Sequence, residues 1–231
     1  MLSAIAIVPS APVLVPELAG SAAAEVADLG AAAITAAASL PPFWIVVGTG
    51  SADDAVGPDC VGTFAGFGVD LRVQLAPQAG HGCASPAELP LCALVAAWLR
   101  GQAQPEASAQ VRVYAASHDP GIALARGGEL RAEIDQRPDP IGVLVVADGV
   151  HTLTPAAPGG YDPGSLDVQL AVDDALAGGN VSALTELPAE VCGRVAFQVL
   201  AGLTQSGPRS AKEFYRGAPY GVGYFAGVWQ P

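Results

Sequence analysis

Four short apolar stretches decide the fold: AIAIV at 4–8, FWIVV at 43–47, VRVYA at 111–115 and IGVLVVA at 141–147. Each stretch is rich in Val or Ile, and none alternates cleanly between apolar and polar residues. Short continuous apolar runs are typical of strands that are covered by helices on both faces. They predict the centre of a mixed or mostly parallel sheet.

Two further runs, VDLRVQL at 69–75 and VGYFAGVW at 222–229, predict edge or half-exposed strands, so that six strands form one sheet. Helical segments separate these runs. The strongest helix signal is a capping box in which Ser85 precedes Pro86 and Glu88, and it predicts a helix over 85–100. The other predicted helices cover 17–39, 119–136, 162–176 and 189–204. The helix over 119–136 is expected to be interrupted at Gly127-Gly128. Strands that alternate with helices predict an α/β three-layer sandwich in which residues 1–231 form one domain.

Composition excludes several classes of protein. With 51% hydrophobic and 14% charged residues, the chain can bury one large core and is not intrinsically disordered. Its net charge of -12 repels polyphosphate, so we expect no nucleic-acid partner. The four cysteines form no C-x-x-C pair and indicate neither a zinc site nor a disulfide framework.

The N-terminal segment carries no basic leader, and its apolar part is interrupted by prolines, so we interpret it as a first strand. The longest uncharged run, residues 29–52, is cut by Pro41-Pro42 and is rich in Ala and Gly, which drive membrane insertion weakly. We therefore expect a protein located in the cytoplasm, without a membrane partner.

Chemistry-bearing residues follow the ends of the predicted strands. His151 and Asp148 come directly after the strand at 141–147, at the carboxyl end where open α/β sheets place their ligands. An imidazole there could accept a proton near neutral pH, so we predict His151 and Asp148 as candidate catalytic residues. The alternative is a loop histidine that is only hydrogen-bonded to Asp148.

Other polar residues occupy equivalent turns. His118 follows the strand at 111–115, next to Asp119, which could instead serve only as a helix cap. The turn GTGSADD at 48–54 offers Ser51 and Asp53, but it lacks the spacing and the lysine of a phosphate loop. No serine lies in a G-x-S-x-G elbow, and His81 sits in a glycine-flanked loop that either approaches a ligand or only makes a turn.

Four ordered pieces, IAIVPSAPVLVPEL, IVVGTGS, VLVVADGVHTL and APYGVGYFAGVW, span nearly the whole chain. Together they resemble the class III extradiol ring-cleavage dioxygenase superfamily, the LigB-like fold that also contains the Memo-like proteins. In active relatives the first motif resembles P-H-x-P, the second strand ends in a histidine, and a glutamate follows on a later helix. These three residues bind Fe(II), and a histidine of the third motif acts as the acid–base residue.

The resemblance implies altered chemistry here. The first iron-ligand position falls on Ser10 and the second on Gly50 or Ser51, so both imidazoles are missing. The carboxylate ligand would lie near 189–204, where Glu190 is the only acidic candidate. The acid–base position matches His151, and Asp148 matches the acidic residue of the same motif. Because a serine hydroxyl is a poor ligand for Fe(II), we predict no metal and no cofactor at this position.

Three functions remain open. The chain is expected to be a catalytically silent LigB-like protein that binds a small molecule or serves as a subunit of an assembly. It could instead be an Fe(II) oxygenase with relocated donors such as His118, His151 and Asp53, or a metal-free acid–base enzyme that uses His151 and Asp148.

The expected pocket lies at the strand ends and includes Tyr220 in the turn before the last strand. Few cations are near it, which favours an aromatic or carbonyl ligand over a phosphorylated one, although Arg216 and Lys212 could bind one carboxylate. If the C-terminal run lay at a sheet edge, Phe225 and Trp229 would form an apolar stripe, and a homodimer would be expected.

Overall fold

The structure is a computed structural model that describes residues 1–79 and 86–231. The loop residue His81, the cysteine Cys83 and the predicted helix cap Ser85 lie outside the described residues. The strands are β1 (Leu2–Val8), β2 (Phe43–Gly50), β3 (Asp54–Val56), β4 (Val61–Thr63), β5 (Arg72–Gln74), β6 (Ser108–Ala115), β7 (Ile141–Val146), β8 (Ser210–Gly217) and β9 (Tyr224–Gln230). The helices are α1 (Pro16–Ala19), α2 (Ala27–Ala38), α3 (Leu91–Ala103), α4 (Pro120–Asp135), α5 (Ser165–Gly178), α6 (Val181–Leu184) and α7 (Arg194–Leu203).

Seven strands form the main sheet in the order β3-β6-β2-β7-β1-β9-β8. The four central strands β6, β2, β7 and β1 are parallel, whereas β3, β9 and β8 each pair antiparallel with a neighbour. This arrangement confirms the prediction of a mixed, mostly parallel sheet. The four apolar stretches that predicted the sheet centre supply its four parallel strands, because such strands bury side chains on both faces.

Helices cover both faces of the sheet and separate two apolar cores. Side chains of α2 and α3 pack with one core, and side chains of α4, α5 and α7 pack with the other. The predicted three-layer sandwich is therefore confirmed. After β2 the chain continues into β3 of the same sheet. The helix α2 that follows β1 packs in the first layer, whereas α4 and α5, which follow β6 and β7, pack in the second, so the loops diverge at the carboxyl ends of the adjacent strands β1 and β7. Such divergence opens the crevice in which α/β sheets place ligands.

The prediction for 69–75 was wrong about its sheet. Only Arg72–Gln74 is a strand, and it pairs with β4 in a separate two-stranded sheet. The two edges of the main sheet are instead β3 and β8, which the sequence analysis missed. Strand β8 is charged and half-exposed along its length, so it lacks the apolar run by which the central strands were recognised.

The C-terminal strand β9 is an interior strand between β1 and β8. Phe225 and Trp229 are buried, and the indole N–H of Trp229 donates a hydrogen bond to the carbonyl oxygen of Leu176, 2.7 Å away. The exposed apolar stripe on which a homodimer was expected is therefore not formed by these two residues. The homodimer itself stays a prediction.

Several helix boundaries differ from the predicted ones. Helix α3 begins at Leu91 because Ala87 pairs with Gly62 instead, which keeps the chain extended as far as Pro90. Glu88 therefore closes no capping box. The predicted helix over 189–204 begins only at Arg194, so the exposed Glu190 precedes it. The segment 17–39 divides into two helices, α1 and α2, joined by a 3-10 turn at Gly20–Ala24.

Helix α4 runs without a break, which corrects the expected interruption at Gly127-Gly128. Asp119 caps it, since its carboxylate accepts a hydrogen bond from the backbone N–H of Ile122. Gly127 faces α7 so closely that an added Cβ would lie 2.2 Å from the carbonyl oxygen of Val199. This glycine therefore serves close packing of two helices. No helix in the described part of the chain is long and apolar enough to span a bilayer.

Candidate functional site

Asp148 is the most unusual titratable group at the strand ends. It follows β7 by two residues and is half-buried. Its Oδ1 atom accepts a hydrogen bond from the backbone N–H of Ser10, 2.8 Å away, and no other described residue donates one. Burial raises the pKa of Asp148 to about 7, although the Ser10 N–H group acts in the opposite direction. Near neutral pH this carboxyl group can therefore either donate or accept a proton.

The backbone around Asp148 is held on two sides. Its carbonyl oxygen accepts a hydrogen bond from the N–H of Gly193, which directly precedes α7. The next peptide group, at Gly149, donates to the carbonyl oxygen of Gly223 near the start of β9. These two contacts fix the Asp148 carboxyl group between α7 and β9.

Two buried side chains of α5, linked by a hydrogen bond, support the same turn. Gln169 of α5 accepts a hydrogen bond from the N–H of Val150 at 2.9 Å and donates one to Asp173 at 2.8 Å. An added Cβ at Gly149 or Gly223 would lie within 2.0 Å of the Gln169 side chain. Burial raises the pKa of Asp173 to about 6, although the hydrogen bond from Gln169 opposes this rise. Glycine is required at both positions because the glutamine fills the space between them.

Sequence reasoning missed two residues near Asp148, Cys192 and Tyr224. Burial, followed by the effect of the Asp148 carboxylate, raises the pKa of the Cys192 thiol and also that of the Tyr224 hydroxyl. Both groups therefore keep their protons at neutral pH. Cys192 reaches the site because its backbone N–H pairs with the carbonyl oxygen of Gly149, a contact between distant segments that carries no local sequence signal.

His151 lies in the same turn but does not pair with Asp148. Among the described residues no hydrogen bond joins the two side chains, and the buried Nδ1 atom of His151 has no partner. The imidazole packs against Gly159, where an added Cβ would lie 2.8 Å from Nε2. The alternative of a loop histidine that is hydrogen-bonded to Asp148 is therefore not what the described residues show.

Asp53 and His118 form a second cluster at the ends of β2 and β6. The imidazole Nε2 atom lies 2.6 Å from Oδ1 of Asp53, which also accepts a hydrogen bond from the N–H of Ala115 at 2.8 Å. The second carboxylate oxygen contacts Arg126 at 3.3 Å. The Ala115 N–H group, then His118 and Arg126, lower the pKa of Asp53 against the opposing effect of burial. Arg194 ties this loop to α7 by donating to the carbonyl oxygen of His118.

The remaining predicted site residues vary in position. Ser10 is half-buried beside Asp148, and Ser51 is exposed directly after β2. The hydroxyl group of Tyr220 donates a hydrogen bond to Glu25 at 3.0 Å. Its described partner is therefore outside the Asp148 and Asp53 clusters. Glu190 is exposed before α7. The structure therefore brings two pairs of predicted residues into contact at the carboxyl ends of the parallel strands, Ser10 with Asp148 and Asp53 with His118, and leaves Tyr220 outside them.

The residues at the expected iron position do not fit the Fe(II) site that the LigB-like resemblance implies. Ser10 contributes its N–H group to Asp148, whose raised pKa disfavours the charged form that metals need. The relocated donors considered above fit no better, since Asp53 and His118 bind each other and His151 is not among their partners. Within residues 1–79 and 86–231, no three His, Cys, Asp or Glu side chains are grouped closely enough to hold a metal ion.

Comparison with solved structures places the whole chain among known folds. It is similar to the uncharacterized protein JW3007 from Escherichia coli K12, with a TM-score of 0.55 and 8% sequence identity over 98% of this chain and 99% of that chain. At this identity the likeness shows a shared fold alone. No protein-family model and no curated protein matches the sequence.

Proposed function

We propose that this protein binds a small aromatic or carbonyl compound, without a metal ion, in the crevice at the carboxyl ends of β1, β2 and β7. The observation that carries this proposal is the Asp148 carboxyl group, which is half-buried and has one described hydrogen-bond donor, the Ser10 N–H. Its second oxygen accepts no hydrogen bond from a described residue, so the group can form one more hydrogen bond. A ligand oxygen is the partner that suits it.

The charge of the surroundings favours an uncharged oxygen on the ligand. A protonated Asp148 donates a hydrogen bond to a carbonyl or phenol oxygen, and the Ser10 and Ser51 hydroxyl groups can add further polar contacts. A phosphate would need cations, yet the cation of the neighbouring cluster, Arg126, is already paired with Asp53 and Glu129. The overall net charge of -12 acts against a polyanion as well.

The LigB-like resemblance supports the same ligand class. Its members act on ring compounds at these strand ends, and here Ser10 and Ser51 stand at positions that iron-binding histidines occupy in active relatives. A protein with that crevice and without the imidazole donors is suited to binding a ring compound without cleaving it. This reasoning favours a binding protein over an oxygenase.

A second candidate function is metal-free acid–base catalysis at the same place. Proton transfer at neutral pH is most effective when the catalytic group has a pKa near 7, which is about the value for Asp148. In this reaction Asp148 would take a proton from the carbon next to a ligand carbonyl and return it. The unpartnered Nδ1 atom of His151 would then serve a separate polar contact.

Two substitutions of Asp148 separate these functions. Asp148→Leu removes every polar atom of the side chain, whereas Asp148→Asn keeps a hydrogen-bond donor and acceptor but cannot transfer a proton. We expect the Leu variant to bind phenol, catechol or 4-hydroxybenzaldehyde about fivefold more weakly, since one net hydrogen bond contributes about 1 kcal/mol. The Asn variant should bind nearly as the unaltered protein does.

Isothermal titration calorimetry on chelator-treated protein provides the measurement, with Asp59→Leu as the control because Asp59 is an exposed aspartate between β3 and β4. Deuterium exchange at the carbon next to the carbonyl of a small ketone, followed by NMR, detects the acid–base reaction and should stop in Asp148→Asn. Equal affinity in Asp148→Leu and the control, or binding that requires added iron, would contradict the proposal.

A further inference from the structure

A separate pocket lies between β5, α1 and the last two turns of α3. Its volume is about 240 Å³, which is smaller than most sites for drug-sized ligands and suits a short molecule. None of its residues belongs to the Asp148 turn or to the Asp53 cluster. The residues that matter for its chemistry are Glu17, Leu71, Val73, Ala97, Trp98 and Arg100.

Arg100 is the unusual residue of this pocket, because it is a buried charge. It is 6% exposed, whereas arginine is almost never buried so deeply unless an opposite charge is paired with it. No carboxylate of the described residues forms an ion pair with it. Burial lowers the pKa of Arg100, and the charge of the exposed Glu106 opposes this effect only in part. An anionic ligand would supply the missing opposite charge.

Hydrogen bonds to the backbone hold the Arg100 guanidinium in one orientation and leave part of it free. Its Nε atom donates to the carbonyl oxygen of Gln74 at 2.8 Å, and Nη1 donates to two carbonyl oxygens of the loop after α3. Nη2 has no acceptor in the described part of the chain. There, the only fully buried side-chain atoms without a partner belong to Trp44 and His151, so Nη2 is in contact with solvent. Since Arg100 lines the pocket, Nη2 is a fixed donor toward it.

The rest of the wall is largely apolar. Its charged residues other than Arg100 are Arg72 and Glu17, which are both exposed and form no ion pair with a described residue. Their opposite charges offset each other at the rim, so the charge inside the pocket is that of Arg100. The apolar lining residues are Leu71, Val73, Ala97 and Trp98.

We propose that this pocket binds a short aliphatic monocarboxylate, whose carboxylate accepts hydrogen bonds from the Arg100 guanidinium and whose chain contacts Leu71 and Trp98. Carboxylates are well matched to the planar guanidinium group. The net charge of -12 repels anions in general, so a bound anion requires a local cation. Arg216, which the sequence analysis considered for this role, is already paired with two carboxylates.

Three five-carbon compounds that share one chain and differ in their end group test the charge preference: pentanoate, pentanamide and pentylamine. We expect calorimetry at low ionic strength to show binding of pentanoate, at least about tenfold weaker binding of pentanamide and no binding of pentylamine. Failure of pentanoate to bind, or equal affinity for either uncharged or cationic compound, would overturn the proposal.

Removal of the buried charge tests the role of Arg100. Arg100→Gln should weaken pentanoate binding at least about tenfold. The control for loss of one positive charge is Arg209→Gln, which alters an exposed arginine before β8 and should leave the affinity unchanged. Equal weakening by the two substitutions would overturn the site.

A second variant leaves Arg100 and its backbone contacts in place. Gly101 lines the pocket, and an added Cβ there meets no heavy atom within 4 Å, so Gly101→Leu narrows the pocket without disturbing α3. We expect it to weaken pentanoate binding at least about tenfold. The matched control is Gly30→Leu on α2, where an added Cβ also meets nothing within 4 Å. Unchanged affinity in Gly101→Leu would overturn the proposal.

Tryptophan fluorescence locates the ligand without relying on affinity. Trp98 lines the pocket, whereas Trp229 lies in the other apolar core. Pentanoate should change the emission of the unaltered protein and of Trp229→Phe, and this change should disappear in Trp98→Phe. A change that persists in Trp98→Phe would place the ligand elsewhere and overturn the site.

The two binding proposals can fail separately. Asp148→Leu should leave pentanoate affinity unchanged, and Gly101→Leu should leave the binding of phenols in the crevice unchanged. If Asp148→Leu abolished pentanoate binding in a folded protein, the pocket at Arg100 would not be the carboxylate site.

Discussion

Two aspartates at the ends of neighbouring parallel strands differ in every respect that decides their chemistry. Asp53 follows β2 and is surrounded by Ala115, His118 and Arg126, which together lower its pKa. Asp148 follows β7 and has one N–H donor and a buried position, which raises its pKa to about 7. The opposite pKa shifts of the two aspartates come from their surroundings, since the residue type is the same.

The difference shows which of the two carboxyl groups has hydrogen-bonding capacity left. The carboxylate of Asp53 is already satisfied by an N–H group, an imidazole and a guanidinium, so it acts as a structural link between β2, β6 and α4. Asp148 is left with unused hydrogen-bonding capacity at the point where the loops diverge. The proposed binding of a small molecule at the crevice rests on this unused capacity.

The largest expected effect comes from the contact that holds the two regions in place. Helix α4 begins next to His118, helix α7 begins next to Gly193, and the helices meet at Gly127. We expect Gly127→Ala to lower the free energy of unfolding by about 3 kcal/mol, because its Cβ would press on α7 backbone. Urea denaturation followed by circular dichroism measures this loss.

The adjacent Gly128 provides the control for that experiment. An added Cβ there meets nothing closer than 3.5 Å, the distance to the side chain of Gln205. We therefore expect Gly128→Ala to stabilise the protein by about 0.5 kcal/mol, since alanine favours the helix over glycine. Similar losses for both substitutions would mean that the close approach of α4 and α7 is not the cause.

A smaller effect is expected from the charge of Asp148. Because its folded-state pKa of about 7 exceeds its ordinary value of 3.8, the folded protein binds more protons than the unfolded chain between these pH values. Stability should fall as pH rises from about 4 to 7. We expect Asp148→Asn to remove this slope and to stabilise the protein by about 2 kcal/mol at pH 8.

Urea titrations at pH 5 and pH 8 test this expectation, with Asp59→Asn as the control for loss of one exposed carboxylate. The stabilisation at pH 8 should exceed that at pH 5. A variant that is equally stable relative to the unaltered protein at both pH values would show that Asp148 is charged in the folded state throughout.

The smallest effect is expected at Asp53. Its lowered pKa means that it stabilises the fold above its ordinary pKa, and this stabilisation is lost as pH falls through the lowered value. Its side chain is 38% exposed, so solvent screens its ion pairs and Asp53→Asn should cost less than about 1 kcal/mol at pH 7. Added 0.5 M salt should shrink the difference further. A larger loss at pH 7 that salt does not affect would contradict this description.

Much of the fold could be predicted because the four parallel strands are both buried and locally continuous in sequence. The edge strands β3 and β8 escaped prediction because exposed strands carry polar residues and depend on a neighbour for their identity. Helix α3 was placed six residues too early for a similar reason. The capping signal was local, whereas the pairing of Ala87 with Gly62 that displaced the helix was not.

For the candidate site, the positions of the residues could be predicted, whereas their partners could not. The position of Ser10, Asp53, His118 and Asp148 after predicted strands was enough to place them at the same end of the sheet, because parallel strands bring their carboxyl ends together. Their partners could not be predicted, since the contacts of Asp148 with Ser10 and of Asp53 with His118 join residues far apart in sequence.

The most direct test is the pKa of the Asp148 carboxyl group, measured by carbon-13 NMR titration of the protein with labelled aspartate. Comparison with the Asp148→Asn spectrum assigns the resonance. The account predicts a midpoint near 7 for Asp148, together with one below the ordinary value for Asp53. A midpoint near 4 for Asp148 would contradict it, because an ordinary charged carboxylate there would neither keep a proton for a ligand oxygen nor transfer one at neutral pH.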